Sequence, residues 1–301
     1  MIRSVVLGVT ERSVTRRLVA DTRVGRRVVK RFVAGEKLEA AVCAARSLND
    51  KGLKVSLDHL GEHVTNIEDA VAAKDAYITC LAAIDEAGLD ANISVKLTQL
   101  GMGFDDRAAE RHVDEIAAAA GRVGMTVTVD MEESAYTETT IGIYEAAQKR
   151  HGNLGIAIQA YLLRSAADLD RIIPLGGHVR LCKGAYAESE KVAYQSRSEI
   201  DRSYDRLAAL LMSSSDTKPA IASHDDGRLE PVLEMAANRK EPWEFQMLYG
   251  VRRDRQHELV RLGYDVRVYV PYGEAWYPYL TRRLAERPAN LMFFARALVG
   301  G

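Results

Sequence analysis

The sequence predicts an α/β protein of the (β/α)8, TIM-barrel type with an N-terminal helical extension. From residue 55 onward, eight short β-branched runs alternate with longer amphipathic stretches, the alternation that builds a parallel sheet covered by helices. The 301 residues accommodate one barrel of about 250 residues and an appendage. An open doubly wound sheet shares this alternation but usually carries a GxGxxG turn after its first strand. No such turn is present, and no GxxxxGK[ST].

The elements follow in order. Residues 1–50 are expected to form a helical segment packing on a barrel of residues 51–301. The first 31 residues hold eight Arg and Lys30 against Glu11 and Asp21, a net charge of +7, leaving −8 for the remainder. Val14, Leu18, Val28, Phe32 and Val33 recur near helical spacing among those arginines. Such a segment suits a capping helix with a solvated basic face first, and second one resting on an anionic membrane. The strands are expected at Val55–Leu60, Asn92–Leu97, Thr126–Met131, Gly155–Tyr161, His178–Lys183, Pro219–His224, Glu244–Tyr249 and Asp265–Val270. Between them, Glu68–Glu86, Arg107–Arg122, Ser134–Arg150, Glu188–Met212 and Asp254–Leu262 have helical periodicity and composition.

Composition narrows the function classes. With 47% hydrophobic and 28% charged residues, 22 Gly and 7 Pro, disordered, collagenous and low-complexity chains are excluded. A net charge of −1 with 7% aromatics gives no general signal for nucleic acid. Cys43, Cys80 and Cys182 show no CxxC or Cys/His ligand spacing, so no disulfide and no metal site are expected and a reducing compartment fits. No apolar run reaches the roughly 18 residues of a membrane span, and Val5–Val9 is too short for a signal-peptide core. The expected location is cytoplasmic.

Barrel enzymes carry their chemistry at the C-terminal ends of the strands. Asp58, His59 and Glu62 end the first run, Lys96 the second, Asp130, Glu132 and Glu133 the third, and Gln159 and Tyr161 the fourth. Arg180 and Lys183 lie on the fifth, Ser223 and His224 end the sixth, Gln246 lies in the seventh, and Tyr269 and Tyr272 close the eighth. Taken singly, Asp58, Asp130, Asp225 or His224 suits a helix cap or a loop hydrogen bond. Their convergence on one rim suggests a site, because an isolated ion such as Lys96 within a strand must be paired or solvated. In the final helix, Tyr279, Arg282, Arg283 and Glu286 are spaced 3, 1 and 3 apart and share one face. Two guanidinium forks beside a carboxylate, with Lys96 as a third cation, suit a small zwitterionic amino acid.

The motifs Ser-Val-Lys96-Leu, Val-Asp130-Met-Glu, Gln159-Ala-Tyr, Arg180-Leu-Cys-Lys-Gly-Ala-Tyr186, Ser223-His224-Asp, Glu244-Phe-Gln-Met-Leu-Tyr-Gly250 and Tyr279-Leu-Thr-Arg-Arg-Leu-Ala-Glu286 together resemble proline dehydrogenase, the FAD-dependent enzyme that oxidises L-proline. The resemblance runs from about Val55 to Asn290 and looks like the monofunctional enzyme, without an aldehyde dehydrogenase module. It implies a distorted (β/α)8 barrel holding noncovalent FAD. It also implies hydride transfer from proline C5 to flavin N5, giving Δ1-pyrroline-5-carboxylate in the first step of proline catabolism. A membrane quinone would take the electrons, which offers the basic amino terminus a possible use. By resemblance, Lys96, Arg282 and Arg283 bind the proline carboxylate, and Tyr186, Leu248, Tyr269, Tyr279 and Glu286 shape the pocket. Asp130 sits beside Lys96 and orients it. Met131, Gln159, Arg180, Lys183, Gly184, Ala185, Ser223, His224 and Gln246 contact FAD, with Arg180 near the flavin N5 and N1–O2 side. Two other readings stand beside this one: a class I aldolase using Lys96 or Lys183 as a Schiff-base lysine, and a barrel that binds an amino acid without turnover.

Overall fold

The computed structural model describes residues 23–285, with side chains from Gly25 to Thr281. Residues 1–22, with Val14 and Leu18, lie outside the described residues, as does Glu286. Two helices, α1 (Arg23–Phe32) and α2 (Leu38–Asn49), precede the strands β1 (Lys54–His59), β2 (Ala91–Val95), β3 (Val127–Val129), β4 (Leu154–Gln159), β5 (His178–Cys182), β6 (Lys218–Ala222), β7 (Glu244–Leu248) and β8 (Val266–Tyr272). Among the described residues these strands form one closed parallel barrel in chain order, and β1 pairs with β8 from Lys54↔Arg267 to His59↔Tyr272. The alternation expected from sequence is therefore a (β/α)8 barrel, with α3 (Ile67–Glu86), α4 (Asp106–Arg122), α5 (Thr137–His151), α6 (Ser165–Ile172), α7 (Arg197–Ser213), α8 (Asp226–Ala236), α9 (Arg253–Arg261) and α10 (Trp276–Ala285) following the strands.

Each strand sorts its side chains by alternation. Val55, Leu57, Ile93, Val95, Val127, Val129, Ile156, Ile158, Val179, Leu181, Phe245, Met247, Val266 and Val268 belong to the main apolar core, where the helices cover the barrel. The intervening positions are small or polar: Ser56, Asp58, Asn92, Ser94, Thr128, Arg180 and Gln246 are all buried. The barrel interior thus holds hydrogen-bonding groups where many barrels stack branched apolar layers.

Helix starts follow local chemistry. Asn66 caps α3 by accepting from Asp69 N, and Asp105 caps α4 by accepting from Ala108 N. The helix expected over 188–212 begins only at Arg197, because Ser196 and Glu199 form a reciprocal capping box there. The preceding chain instead makes an antiparallel bridge from Ala193 to Leu162. Asp225 caps α8, accepting from Gly227 N at 3.2 Å.

The amphipathicity of α1 is used internally. Val28, Phe32 and Val33 pack with Leu60 and with Trp276, Tyr279 and Leu280 of α10, while Arg26, Arg27, Lys30 and Arg31 are exposed. Gly250, at φ 74°, lets α1 approach the loop after β7, since a Cβ there would lie 1.8 Å from the Arg31 carbonyl oxygen.

Inside the barrel, the His178 ring lies over Gly155, and its Nε2 is 2.6 Å from Thr128 Oγ1. A Cβ on Gly155 would meet His178 ring atoms at 2.3 Å. Gly155→Ala should therefore destabilise the fold by about 1–3 kcal/mol through overpacking, read as a lower urea midpoint. The loss should shrink in a His178→Ala background; equal losses in both backgrounds would show that the ring is not the obstacle.

Candidate active site

At the C-terminal mouth, Lys96 follows β2 and its ammonium donates to Asp58 Oδ1 at 2.6 Å and to the Tyr269 hydroxyl at 3.4 Å. Tyr269 in turn donates to Asp130 Oδ2 at 2.7 Å. The resemblance implies Asp130 beside Lys96, and Asp130 Oδ2 lies 3.8 Å from the ammonium, while the hydrogen-bonded carboxylate is Asp58. The register explains the pairing: Asp58 stands beside Ser94, so Lys96, two residues on and facing inward, lies above Asp58. Asp130 is instead held by Arg180, whose Nη1 donates to Asp130 Oδ1.

Arg180 is 6% exposed, and each kind of guanidinium nitrogen has an acceptor. Its Nη2 donates to Ser94 Oγ at 2.9 Å, and its Nε donates to Gln246 Oε1. The guanidinium also lies 5.1 Å from the Tyr269 ring centroid, a cation–π contact. In the strand pairing Arg180 is flanked by Ala157 and Ala220, so small neighbours leave room for it to reach across to β2 and β3.

Burial shapes the titration of these groups. It opposes the Lys96 charge, but the Asp58 and Asp130 carboxylates outweigh it and hold the ammonium pKa above its ordinary value. Burial raises the Asp58 carboxyl despite Lys96. Burial, and then Asp130, push the Tyr269 hydroxyl well above the usual phenol range. Lys96 is therefore a fixed cation with its charge supported from below.

The remaining rim residues divide. Glu132 accepts from Thr98 N at 3.0 Å and from Thr98 Oγ1, pinning the turn after Lys96, and Gln159 Nε2 donates to the Glu132 carbonyl at 2.7 Å. Glu133 pairs with His63 at 3.4 Å. His59 packs against Tyr272 with ring centroids 5.2 Å apart. Met131 is buried beyond β3. Lys183 pairs with Asp201 and, at 2.8 Å, with Asp225. Gly184 follows at φ 115°, where a Cβ would run into the Tyr161 ring; Ala185, Tyr186 and Leu248 are half-buried. Ser223 Oγ accepts from Asp225 N at 3.1 Å. His224 Nε2 accepts from Leu248 N at 2.9 Å, which puts the neutral ring's proton on Nδ1. Tyr279 is buried between α10, α1 and Leu60. Arg282 and Arg283 occupy successive positions of α10, but their side chains, like Glu286, lie outside the described residues.

The polar layer below the mouth was not anticipated. Arg267 Nε donates to Glu244 Oε1 at 2.7 Å, and Gln246 Nε2 donates to the same oxygen at 2.6 Å. Its sequence signal is the i, i+2 recurrence of polar residues within strands: Ser56 with Asp58, Ser94 with Lys96, Glu244 with Gln246, and Arg267 with Tyr269.

A profile of the proline dehydrogenase family matches residues 41–296. Proline dehydrogenase 1 of Bacillus subtilis subsp. natto is 38% identical over 281 residues, covering 92% of each chain. Proline dehydrogenase of Deinococcus radiodurans is 33% identical over 307 residues, covering 99% of this chain and 98% of the relative. Among solved structures, a proline utilization A mutant from Bradyrhizobium japonicum superposes with a TM-score of 0.78 at 26% identity, covering 91% of this chain. Proline utilization A from Bdellovibrio bacteriovorus superposes at 0.81 with 24% identity, covering 87%, a likeness of fold. The chain spans about a third of the length of these two solved chains, 32% and 33%.

The buried pair makes a direct prediction. Asp58→Ala strands the Lys96 ammonium and should cost about 3–5 kcal/mol. Asp58→Asn with Lys96→Met should cost less than the sum of its single changes by urea denaturation. Strict additivity would show that the two groups do not hold one another.

Proposed function

The chain belongs to the proline dehydrogenase family, and we propose that it oxidises L-proline to Δ1-pyrroline-5-carboxylate, with noncovalent FAD as hydride acceptor and a membrane quinone as the onward electron acceptor. The observation that carries this reading is the gathering, at one mouth of a barrel of this family, of Lys96, Tyr269, Asp130 and Arg180 in a single hydrogen-bonded network.

The residues fit the cofactor. Met131, Gln159, Arg180, Lys183, Gly184, Ala185, Ser223, His224 and Gln246 belong to strands β3 to β7 or the loops just after them, one continuous arc of the rim. The arc combines amide, hydroxyl and cationic donors with a left-handed glycine turn at Gly184, whose backbone packs against the Tyr161 ring. When bound, FAD would supply the hydride-accepting flavin ring. Arg180 would place a permanent cation where reduction puts negative charge, and Asp130 would hold that cation in place.

Substrate binding falls to the other side of the mouth. Lys96, supported by Asp58, would attract the proline carboxylate together with Arg282 and Arg283. Glu286 would hold the ammonium, and Tyr186, Leu248, Tyr269 and Tyr279 would enclose the ring. His224 is poorly suited to remove the amine proton, because its Nε2 lone pair already accepts from the Leu248 amide. The aldolase reading loses support, since Lys96 is held as a cation between carboxylates and Lys183 is paired with two aspartates, whereas a Schiff-base lysine needs a neutral amine.

The exposed cations of α1 favour a peripheral contact with an anionic membrane. Arg27, Lys30 and Arg31 face Arg252 and Arg253 across a cavity of about 650 Å³. Among the described residues no helix is long and apolar enough to cross a membrane.

Three measurements test the proposal. The FAD-loaded protein, mixed anaerobically with L-proline, should bleach its flavin bands and release a product two hydrogens lighter than proline; persistent yellow colour at saturating proline would refute the activity. Lys96→Met should keep its FAD but raise KM for proline roughly tenfold to a hundredfold, the worth of one charge-assisted contact. In a sedimentation assay, vesicles rich in anionic lipid should carry down the wild type more than Arg27→Glu with Lys30→Glu, each cation contributing about 1 kcal/mol. Equal recovery would remove α1 from the membrane contact.

A further inference from the structure

Glu244 opens β7 and points into the barrel on the same strand face as Gln246. Burial favours its neutral form, but the charge and hydrogen bond of Arg267, with help from Gln246, lower its pKa below the ordinary carboxyl value. Ionised, it has acceptors only.

The Gln246 amide is spoken for at both ends: Nε2 donates to Glu244 Oε1 at 2.6 Å, and Oε1 accepts from Arg180 Nε. An amide turned by half a revolution has nearly the same shape, so packing cannot choose between the two orientations. Charge can. The turned amide would set its oxygen against the Glu244 carboxylate and its NH2 against the Arg180 N–H, two repulsive contacts in a buried site.

We propose that Glu244 is a positioning residue for the oxidation, fixing the Gln246 amide and, through it, the orientation of Arg180. The inference rests on the reading above that Arg180 faces the flavin. The Arg180 plane has three anchors: Ser94, Asp130 and Gln246. The Gln246 anchor has an alternative orientation of nearly the same shape that would abolish it, and Glu244 removes that alternative. Arg267 completes the device, donating to Glu244 from Nε and to the Val55 carbonyl from Nη1 at 2.8 Å, so the carboxylate stays ionised and immobile within the barrel.

The test is Glu244→Gln in the FAD-loaded enzyme, which keeps the shape but lets residue 244 donate as well as accept. FAD content and KM for proline should stay within about twofold, the proline contacts being elsewhere. Flavin reduction at saturating proline should slow about tenfold, the loss of one charge-assisted hydrogen bond, and the flavin midpoint potential should fall. Gln246→Leu should lower the potential as well, and the double variant should be no worse than Gln246→Leu alone. If Glu244→Gln leaves Arg267 stranded and unstable, Glu244→Gln with Arg267→Gln removes that charge and is read in the same way. A wild-type potential in a folded, loaded variant would overturn the proposal, leaving Glu244 a structural partner of Arg267. Additive effects of Glu244→Gln and Gln246→Leu would overturn it too. Failure of the underlying reading looks different: the wild type would not bleach with proline, or Arg180→Ala would leave the flavin potential unchanged.

Discussion

The structure depends on a ladder of opposite charges inside the barrel. From Arg267 and Glu244, through Gln246, to Arg180 and Asp130, and then through Tyr269 to Lys96 and Asp58, cations and carboxylates alternate along one hydrogen-bonded path. An ion buried without a partner would cost several kcal/mol. The interior tolerates these charges because the path contains as many carboxylates as cations and neutral amide and phenol groups connect them. The apolar outward faces of the strands supply the cohesion, which leaves the interior free for polar chemistry.

This arrangement gives single residues two duties. Tyr269 packs beside Arg180, links Lys96 to Asp130 and lines the proposed substrate side. Asp130 neutralises Arg180 and lies close enough to Lys96 to help hold its charge. The proposed cofactor and substrate sides are thus joined by protein groups, the preorganisation that gives fixed charges their catalytic value. The same coupling means that a change on one side disturbs the other, so effects within the path will not add. The α1–α10 contact sits beside this mouth: Phe32, Val28 and Leu60 bury Tyr279 and Trp276, and Trp276 Nε1 donates to Glu36 at 3.1 Å. The N-terminal extension therefore supports the helix that carries Arg282 and Arg283.

Much of the architecture and many of the polar rim positions of the candidate site were legible in the sequence, because their signals are local. Eight β-branched runs spaced by amphipathic stretches specify strands and helices through nearest-neighbour preferences, and polar residues at the ends of those runs, from Lys96 to Tyr269, marked the rim. The basic face and apolar stripe of α1 were visible in the spacing of Val28, Phe32 and Val33. Even the misplaced start of α7 was locally encoded, in the Ser196 and Glu199 capping box.

Which charge meets which was not legible. Asp58 read as a cap or loop residue but is the partner of Lys96, and Asp130, expected to serve Lys96, answers chiefly to Arg180. Glu244 stands in a motif with no partner legible beside it and Arg267 carries no local signal of its own, although both belong to the path that ends at the mouth. The reason is geometric: these pairs join residues 23 to 66 positions apart, and they form only because strand pairing and the curvature of the barrel bring inward positions of different strands to matching heights. Small neighbours such as Ala157 and Ala220 then decide how far a long side chain can cross. Periodicity along the chain determined the elements and the inward faces; the register of the closed sheet decided the partners.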